Sequence, residues 1–339
     1  MGKATKMNSV LKLLLVIVSI IIIAFLGQYF FDSFYSFPKQ IDYGVSFSPQ
    51  YAQYLGLDWE KTFIEIIDEL KIKNLRLPTY WSSLEPEKYL FNFSDTDFML
   101  DLADKKGAKV ILVLGARQPR WPECHLPNWV SKLDLPSRQN ETLKFITAVL
   151  ERYKDRKSIW AFQVENEPFL PFFGENCDKG DVNFLKKEVE LVKKMSGKPV
   201  IISDSGELGS WIVPMQLSDI FGTTLYKEVY NPVMGYISYP ILPYFYNLKS
   251  QIIKRIFAPQ NQKTIIVELQ SEPWLFSKDL KDDTDQQSQL FPVEKLKSYI
   301  EYAQKTGFDE VYLWGVEWWY WMAQNGHPEY LEFAKTLFK

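Results

Sequence analysis

From residue 41 onward the chain alternates short apolar runs with stretches whose apolar residues recur at helical spacing. The runs at 43–47, 74–77, 109–114, 159–164, 199–203, 223–226, 264–269 and 310–314 predict eight strands. Several are apolar throughout, as in Val110-Ile111-Leu112-Val113-Leu114 and Ile265-Ile266-Val267. Strands buried on both faces have this composition, so the predicted sheet is parallel and covered by helices. Between the runs, Phe63, Ile66, Ile67 and Leu70 follow the i, i+3, i+4, i+7 rule of a helix with one buried face. Ile146, Val149, Leu150 and Tyr153 repeat it, as do Leu296, Tyr299, Ile300 and Ala303. Strand–helix units in that number, spread over roughly 300 residues, predict an α/β fold of the (β/α)8 TIM-barrel type. The competing doubly wound open sheet usually announces a Gly-rich phosphate turn, and the chain has no GxGxxG or Walker pattern.

Residues 13–31 form a second kind of segment, apolar and without a charge, preceded by Lys3, Lys6 and Lys12. At about 1.5 Å per residue it reaches roughly 28 Å, close to the hydrocarbon thickness of a bilayer. The lysines predict a cytoplasmic N-terminus. A cleaved signal peptide has a similar layout, but the apolar core here is long and no small-x-small cleavage site follows it. The expected organisation is a cytoplasmic stretch at 1–12, a single N-terminal transmembrane signal-anchor at 13–31, a connector at 32–40 and one catalytic barrel at 41–339. The barrel is then a single-pass, membrane-held domain facing out of the cytoplasm.

Composition narrows the chemistry. A net charge of −3 in 339 residues excludes the basic footprint of non-specific nucleic-acid binding. With two histidines, His125 and His327, a His-rich metal site is not expected, and no metal or cofactor is predicted. The chain holds 11 tryptophans, and nine of them fall at the predicted C-terminal end of the strands, where barrels keep their chemistry. Trp81 follows the second strand, Trp121 and Trp129 the third, Trp211 the fifth and Trp274 the seventh; Trp314, Trp318, Trp319 and Trp321 lie at and after the eighth. Aromatic rings gathered at one end predict a cleft that stacks on the apolar faces of sugars, with Trp81, Trp121, Trp274, Trp314 and Trp318 as candidate platforms.

Two apolar strands end in carboxylates. The fourth closes as Phe162-Gln163-Val164-Glu165-Asn166-Glu167-Pro168, and the seventh as Val267-Glu268-Leu269-Gln270-Ser271-Glu272-Pro273-Trp274. A charge set against a buried strand is costly unless partnered. A structural ion pair with Arg76 is one outcome; two carboxylates facing one substrate bond is the other.

Asn166-Glu167-Pro168 after strand four, with Glu268 ending strand seven, resembles glycoside hydrolase clan A, the retaining (β/α)8 glycosidases. The longer string Gln163-Val164-Glu165-Asn166-Glu167 is similar to that of its β-galactosidase-type members, and Arg76 in Leu75-Arg76-Leu77-Pro78 and Trp314 fall on clan positions too. The resemblance implies Glu167 as acid/base and Glu268 as nucleophile, acting through a covalent glycosyl-enzyme on an oligo- or polysaccharide. It implies Asn166 beside the hydroxyl next to the reacting carbon, Arg76 holding the nucleophile ionised, and Trp314 flooring the subsite of the attacked sugar. Cellulase-like members usually carry His near strand three, where this chain has Gly115-Ala116-Arg117-Gln118-Pro119. The clan's tyrosine after strand six has candidates in Tyr226, Tyr230, Tyr236 and Tyr239.

Glu165 and Glu272 compete for the acid and nucleophile roles, Glu317 for a sugar hydroxyl or a loop salt bridge, and His125 for a place along the cleft. Cys124 and Cys177 lie in the loops after adjacent strands three and four, within reach of a disulfide. A carbohydrate-binding pseudoglycosidase and a transglycosidase on the same barrel are the alternatives to hydrolysis, and a monomer is expected.

Overall fold

The computed structural model describes residues 2–34, 40–171, 173–231, 233–275 and 283–338, and within the N-terminal helix the side chains of residues 11, 12, 14–27 and 29. Two compact units result, Met1–Pro38 and Lys39–Lys339. The first contains one helix, Gly2–Phe34. Its described apolar side chains, among them Leu14, Ile20 and Phe25, are exposed. Among the described residues no helix is long and apolar enough to cross a membrane. The membrane-spanning helix predicted at 13–31 is therefore not shown among the described residues. Leu13, Gln28, Phe30 and Phe31 of the predicted span, and most of the connector, lie outside the described side chains.

The second unit is the barrel. Among the described residues ten strands form in it: β1 (Asp42–Ser46), β2 (Asn74–Pro78), β3 (Lys109–Leu114), β4 (Ile159–Val164), β5 (Val200–Asp204), β6 (Ile220–Leu225), β7 (Glu228–Asn231), β8 (Gly235–Ser238), β9 (Lys263–Gln270) and β10 (Glu310–Trp314). Eight of them close in the order β1-β10-β9-β6-β5-β4-β3-β2, all parallel, which is the (β/α)8 architecture that the apolar runs predict. Ile111, Ala161, Ile201, Ile265, Val267 and Tyr312 fill the interior. The other faces pack on helices whose buried residues are the ones the 3.6-residue periodicity selects, for instance Ile146, Val149, Leu150 and Tyr153 in the helix Leu135–Tyr153. Asp134 and Asp181 cap two of these helices by accepting backbone N–H bonds, and Gly197, in the left-handed region, ends the second.

The structure departs from the sequence pattern around the sixth barrel strand. It starts at Ile220 rather than 223, because Gly222, pressed against Val267 with no room for a Cβ, interrupts the apolar run that marks a strand. The antiparallel hairpin β7–β8 that follows is tyrosine-rich rather than alternating, so periodicity does not reveal it.

Cys124 and Cys177 are joined, tying the loop after β3 to the loop after β4. The bond spans 53 residues, and in the chain-entropy view a loop of that size stabilises the fold by about 4 kcal/mol. Replacing both cysteines by serine should lower the melting temperature by several degrees, read by calorimetry without reductant. An unchanged melting temperature, or two free thiols by mass spectrometry of the native chain, contradicts the tie.

Candidate active site

The C-terminal ends of the barrel strands converge on one buried guanidinium. Arg76, on β2, is 0% exposed. Its Nη1 donates to Glu268 Oε1 at 2.7 Å, its Nε to Gln163 Oε1 at 2.8 Å and its Nη2 to Asn166 Oδ1 at 2.8 Å, with weaker bonds to Ser46 Oγ and Val267 O. One side chain thus links β1, β2, β4 and β9. The planar fork of five donors makes this possible, where an ammonium would satisfy fewer partners.

Glu268 is 3% exposed near the end of β9. Its second oxygen accepts the hydroxyl of Tyr226 at 3.0 Å, which selects Tyr226 from the four candidate tyrosines. Burial and the adjacent Glu268 charge push the Tyr226 hydroxyl well above its ordinary range, so it remains a donor.

Glu167 follows β4 and is 6% exposed. Its Oε1 accepts Thr224 Oγ1 at 3.0 Å, and its backbone N–H donates to Ser203 Oγ at 3.0 Å. Burial first, and then the charges of Glu268, Glu123 and Asp204, raise its carboxyl well above the ordinary carboxylate range. Glu165 and Glu167 both have positive φ, +56° and +44°. Such strain costs on the order of 1–3 kcal/mol per residue and persists only where surrounding contacts fix it. The alternation of strand β4 ends at this turn, and the two glutamates separate. Glu165 points to the β3 loop, accepting the N–H groups of Ala116 at 2.8 Å and Arg117 at 2.6 Å and pairing with buried Glu188. Burial and the Glu165 charge push Glu188 up, which favours a proton shared within the pair.

The other competing residues have structural partners. Glu272 and Glu317 both pair with Arg120, Glu317 at 3.1 Å. The Arg120 guanidinium lies between Tyr51 and Trp314, 3.6 Å and 4.2 Å from the ring centroids. His125 stacks on Tyr80 and contacts Arg120 O, and burial lowers its pKa to about 4, so it is neutral.

The tryptophans divide. Trp314 ends β10 at the site. Trp121 is 56% exposed and meets Phe173, which meets Trp274, which meets Tyr226, a ring-to-ring chain from the β3 loop to the nucleophile candidate's own partner. Trp81 and Trp318 are not brought to the site, which corrects their expected role. Trp81 packs on Phe145 and Trp129 and donates to Glu85 at 2.8 Å; Trp318 packs on Tyr330 and Phe291 and donates to Gln287 at 2.7 Å. Trp211 and Trp319 are equally buried. Large rings gather under the loops because they fill that layer, and only part of the cluster reaches the mouth.

Sequence reasoning missed Gln163, Ser203, Thr224, Arg120 and Glu123. Gln163 and Ser203 sit two residues apart from strand positions that point inward, a signal available only once the strand register is known. Among the described residues no group of His, Cys, Asp or Glu could hold a metal ion.

Removing one partner of a buried ion pair costs about 3–5 kcal/mol, because the other charge stays buried and unpaired. Arg76→Met should destabilise by that amount in urea melts, and Arg76→Met/Glu268→Gln by markedly less than the two single changes added together. Simple additivity contradicts the coupling.

The cellulase model (glycosyl hydrolase family 5) matches residues 42–313. The β-galactosidase LacZ of Lactobacillus acidophilus is 24% identical over 202 residues, 53% of this chain and 30% of that protein. The β-galactosidase BgaH of Haloferax lucentense is 23% identical over 195 residues, 51% of this chain and 26% of that protein. The matched region thus spans under a third of either relative. Among solved structures, the β-galactosidase of the psychrophilic Marinomonas ef1 shares the fold with a TM-score of 0.55 at 15% identity, covering 80% of this chain and 54% of that one. A GH5_18 protein of Streptomyces cattleya in complex with GlcNAc does so with a TM-score of 0.56 at 12% identity, covering 82% and 71%. With the family model covering the barrel from β1 into β10, the chain belongs to glycosyl hydrolase family 5, the cellulase family.

Proposed function

We propose that the barrel is a retaining β-glycoside hydrolase in which Glu268 attacks the anomeric carbon and Glu167 serves as acid and then base. The observation that carries this reading is the unequal treatment of two buried carboxyls. Glu268 receives hydrogen bonds from a guanidinium and a phenol hydroxyl; Glu167 receives one from a neutral hydroxyl, and burial with the charges of Glu268, Glu123 and Asp204 outweighs the Arg117 cation and favours its proton.

The steps follow from that asymmetry. Glu268 Oε2 or Oε1 forms a bond to C1 as the glycosidic C–O bond breaks, and Glu167 gives its proton to the departing oxygen. The Glu268 charge is then consumed in the ester, so the field that kept Glu167 protonated weakens. Glu167, now ionised, takes a proton from water as that water cleaves the ester. Asn166, its amide oxygen pinned by Arg76, lies beside the hydroxyl next to C1, and Trp314 lies under the sugar. The β-galactosidase relatives support a β-linked hexoside as substrate.

Glu268→Ala should abolish turnover of an aryl β-glycoside, with azide restoring it as the β-glycosyl azide. Glu167→Ala should spare the first step for substrates with good leaving groups. Wild-type activity in Glu268→Ala, or a first product of inverted configuration, contradicts the assignment.

The pH dependence has a definite sign. The rate should fall as pH rises through the raised pKa of Glu167, and Glu268→Gln, by removing a negative charge, should lower that pKa. A carbon-13 titration of the Glu167 carboxyl reads both; an unmoved or raised value in Glu268→Gln is the contrary result.

We further propose that the domain works outside the cytoplasm, tethered by its N-terminal segment. The Cys124–Cys177 bond supports an oxidising compartment, and the three lysines before the apolar stretch support the orientation. Protease added to spheroplasts should digest the barrel while carbonate washing leaves the chain in the membrane pellet. Full protection, or release by carbonate, overturns the respective half of this proposal.

A further inference from the structure

A third buried carboxyl group stands against Asn166 and has no part in the steps above. Glu123 belongs to the loop after β3, is 4% exposed, and has a positive φ of +69°. The loop holds it from every side. Its N–H donates to Arg120 O and its C=O accepts from Gln118, both at 2.7 Å. Glu123 bridges to Glu175 in the β4 loop, Glu175 N–H donates to Pro122 O, and the disulfide of Cys124 follows directly. A buried acid in a strained, cross-tied loop is a placed group.

Its surroundings are short of donors. Glu123 Oε2 accepts Asn166 Nδ2 at 3.1 Å. Among the described residues no Lys, Arg or His lies within ion-pair distance, and the other oxygen has no hydrogen-bond partner in the protein. That oxygen is not among the polar atoms sealed from solvent without a partner, so it keeps some accessible surface. The orientation of Asn166 is fixed independently: its Oδ1 accepts from Arg76, Ser203 and Gln163, which leaves its amide hydrogens for Glu123 and whatever lies between them. Burial, and then the charge on Glu268, push the Glu123 carboxyl up to about 7, which places it within the electrostatic reach of the nucleophile candidate.

We infer that Glu123 is a specificity-determining residue of the sugar pocket, whose open carboxylate oxygen accepts a hydrogen bond from the substituent at C2. The inference rests on the glycosidase reading, since Asn166 marks the C2 position only if Glu268 attacks C1. Above its pKa of about 7, hence at the pH 8 of the comparison below, the group is a carboxylate, which accepts but does not donate. It therefore takes a hydroxyl, favours an ammonium because charge is matched by charge, and rejects an acetamido group, whose bulk and carbonyl oxygen it opposes. The substrate class is a β-glycoside with a free hydroxyl or amine at C2.

The test uses the full chain in detergent and p-nitrophenyl β-D-glucoside, β-D-galactoside and β-D-mannoside. For each one that is turned over, kcat/KM is compared with that of its 2-amino-2-deoxy and 2-acetamido-2-deoxy counterparts, in wild type and in Glu123→Gln. Glutamine still accepts from Asn166 and keeps the shape, so the change removes the charge; melting temperature and disulfide content verify the fold. The expected result is at least a tenfold fall in the amine-to-hydroxyl ratio in Glu123→Gln, with the acetamido compound the poorest wild-type substrate. An equal loss on the amine and hydroxyl compounds makes Glu123 a support for Asn166 alone and overturns the inference, as does efficient turnover of the acetamido compound. No wild-type turnover of any parent glycoside is a separate result: it removes the glycosidase reading on which the inference stands.

Discussion

The bond between Arg76 and Glu268 is the constraint from which the rest of the site follows. A guanidinium with no exposure to solvent requires acceptors for its donors, and it finds them on β1, β4 and β9 as well as on Glu268. This fixes the amide oxygen of Asn166, which in turn fixes the direction of the strained turn carrying Glu167. Burial raises the Glu167 carboxyl first, and the carboxyl held by Arg76 then adds the largest of the electrostatic pushes. One cation therefore holds one glutamate directly and bears on the other through the first.

The enclosing loops continue the same logic. The β3 loop is anchored by Glu165, by the disulfide, and by Arg120 between Tyr51 and Trp314. Glu272 and Glu317, both acids at the mouth, neutralise Arg120 and are thereby kept apart from the chemistry. An acid-rich barrel mouth works only because most of its carboxyls are assigned to backbone donors, to a guanidinium or to a shared proton. Among the described residues Glu123, like Glu167, has no such assignment; its hydrogen-bond partner is the Asn166 amide.

The barrel was legible because its strands are buried on both faces and its helices on one, patterns that survive without any neighbour being known. Glu167, Glu268, Arg76 and Asn166 were legible as polar residues set into otherwise apolar strand ends, where burial forces a purpose. Tryptophan position was a poorer guide: Trp81 and Trp318 share a barrel end with Trp121 and Trp314, but whether a ring fills the layer beneath the loops or faces the mouth depends on its neighbours in space. The same holds for Glu165 and Glu167, which alternation places on one side and a turn at positive φ sends apart. Glu123 and Arg120 come from an irregular loop, where no periodicity exists to read. The apolar helix at the N-terminus shows the converse limit, since a charge-free run fixes composition without fixing where a helix sits.

The central claim is that Glu268, paired with Arg76, becomes covalently bonded to the sugar. Incubation with a 2,4-dinitrophenyl 2-deoxy-2-fluoro-β-glycoside, which slows release of the intermediate, followed by peptide mass spectrometry, tests it most directly. The account predicts one sugar per chain on the peptide containing Glu268, with dinitrophenolate released in equal amount. A label on Glu167, Glu272 or Glu123 instead, or stoichiometric phenolate release in steady turnover with no adduct at any residue, contradicts it.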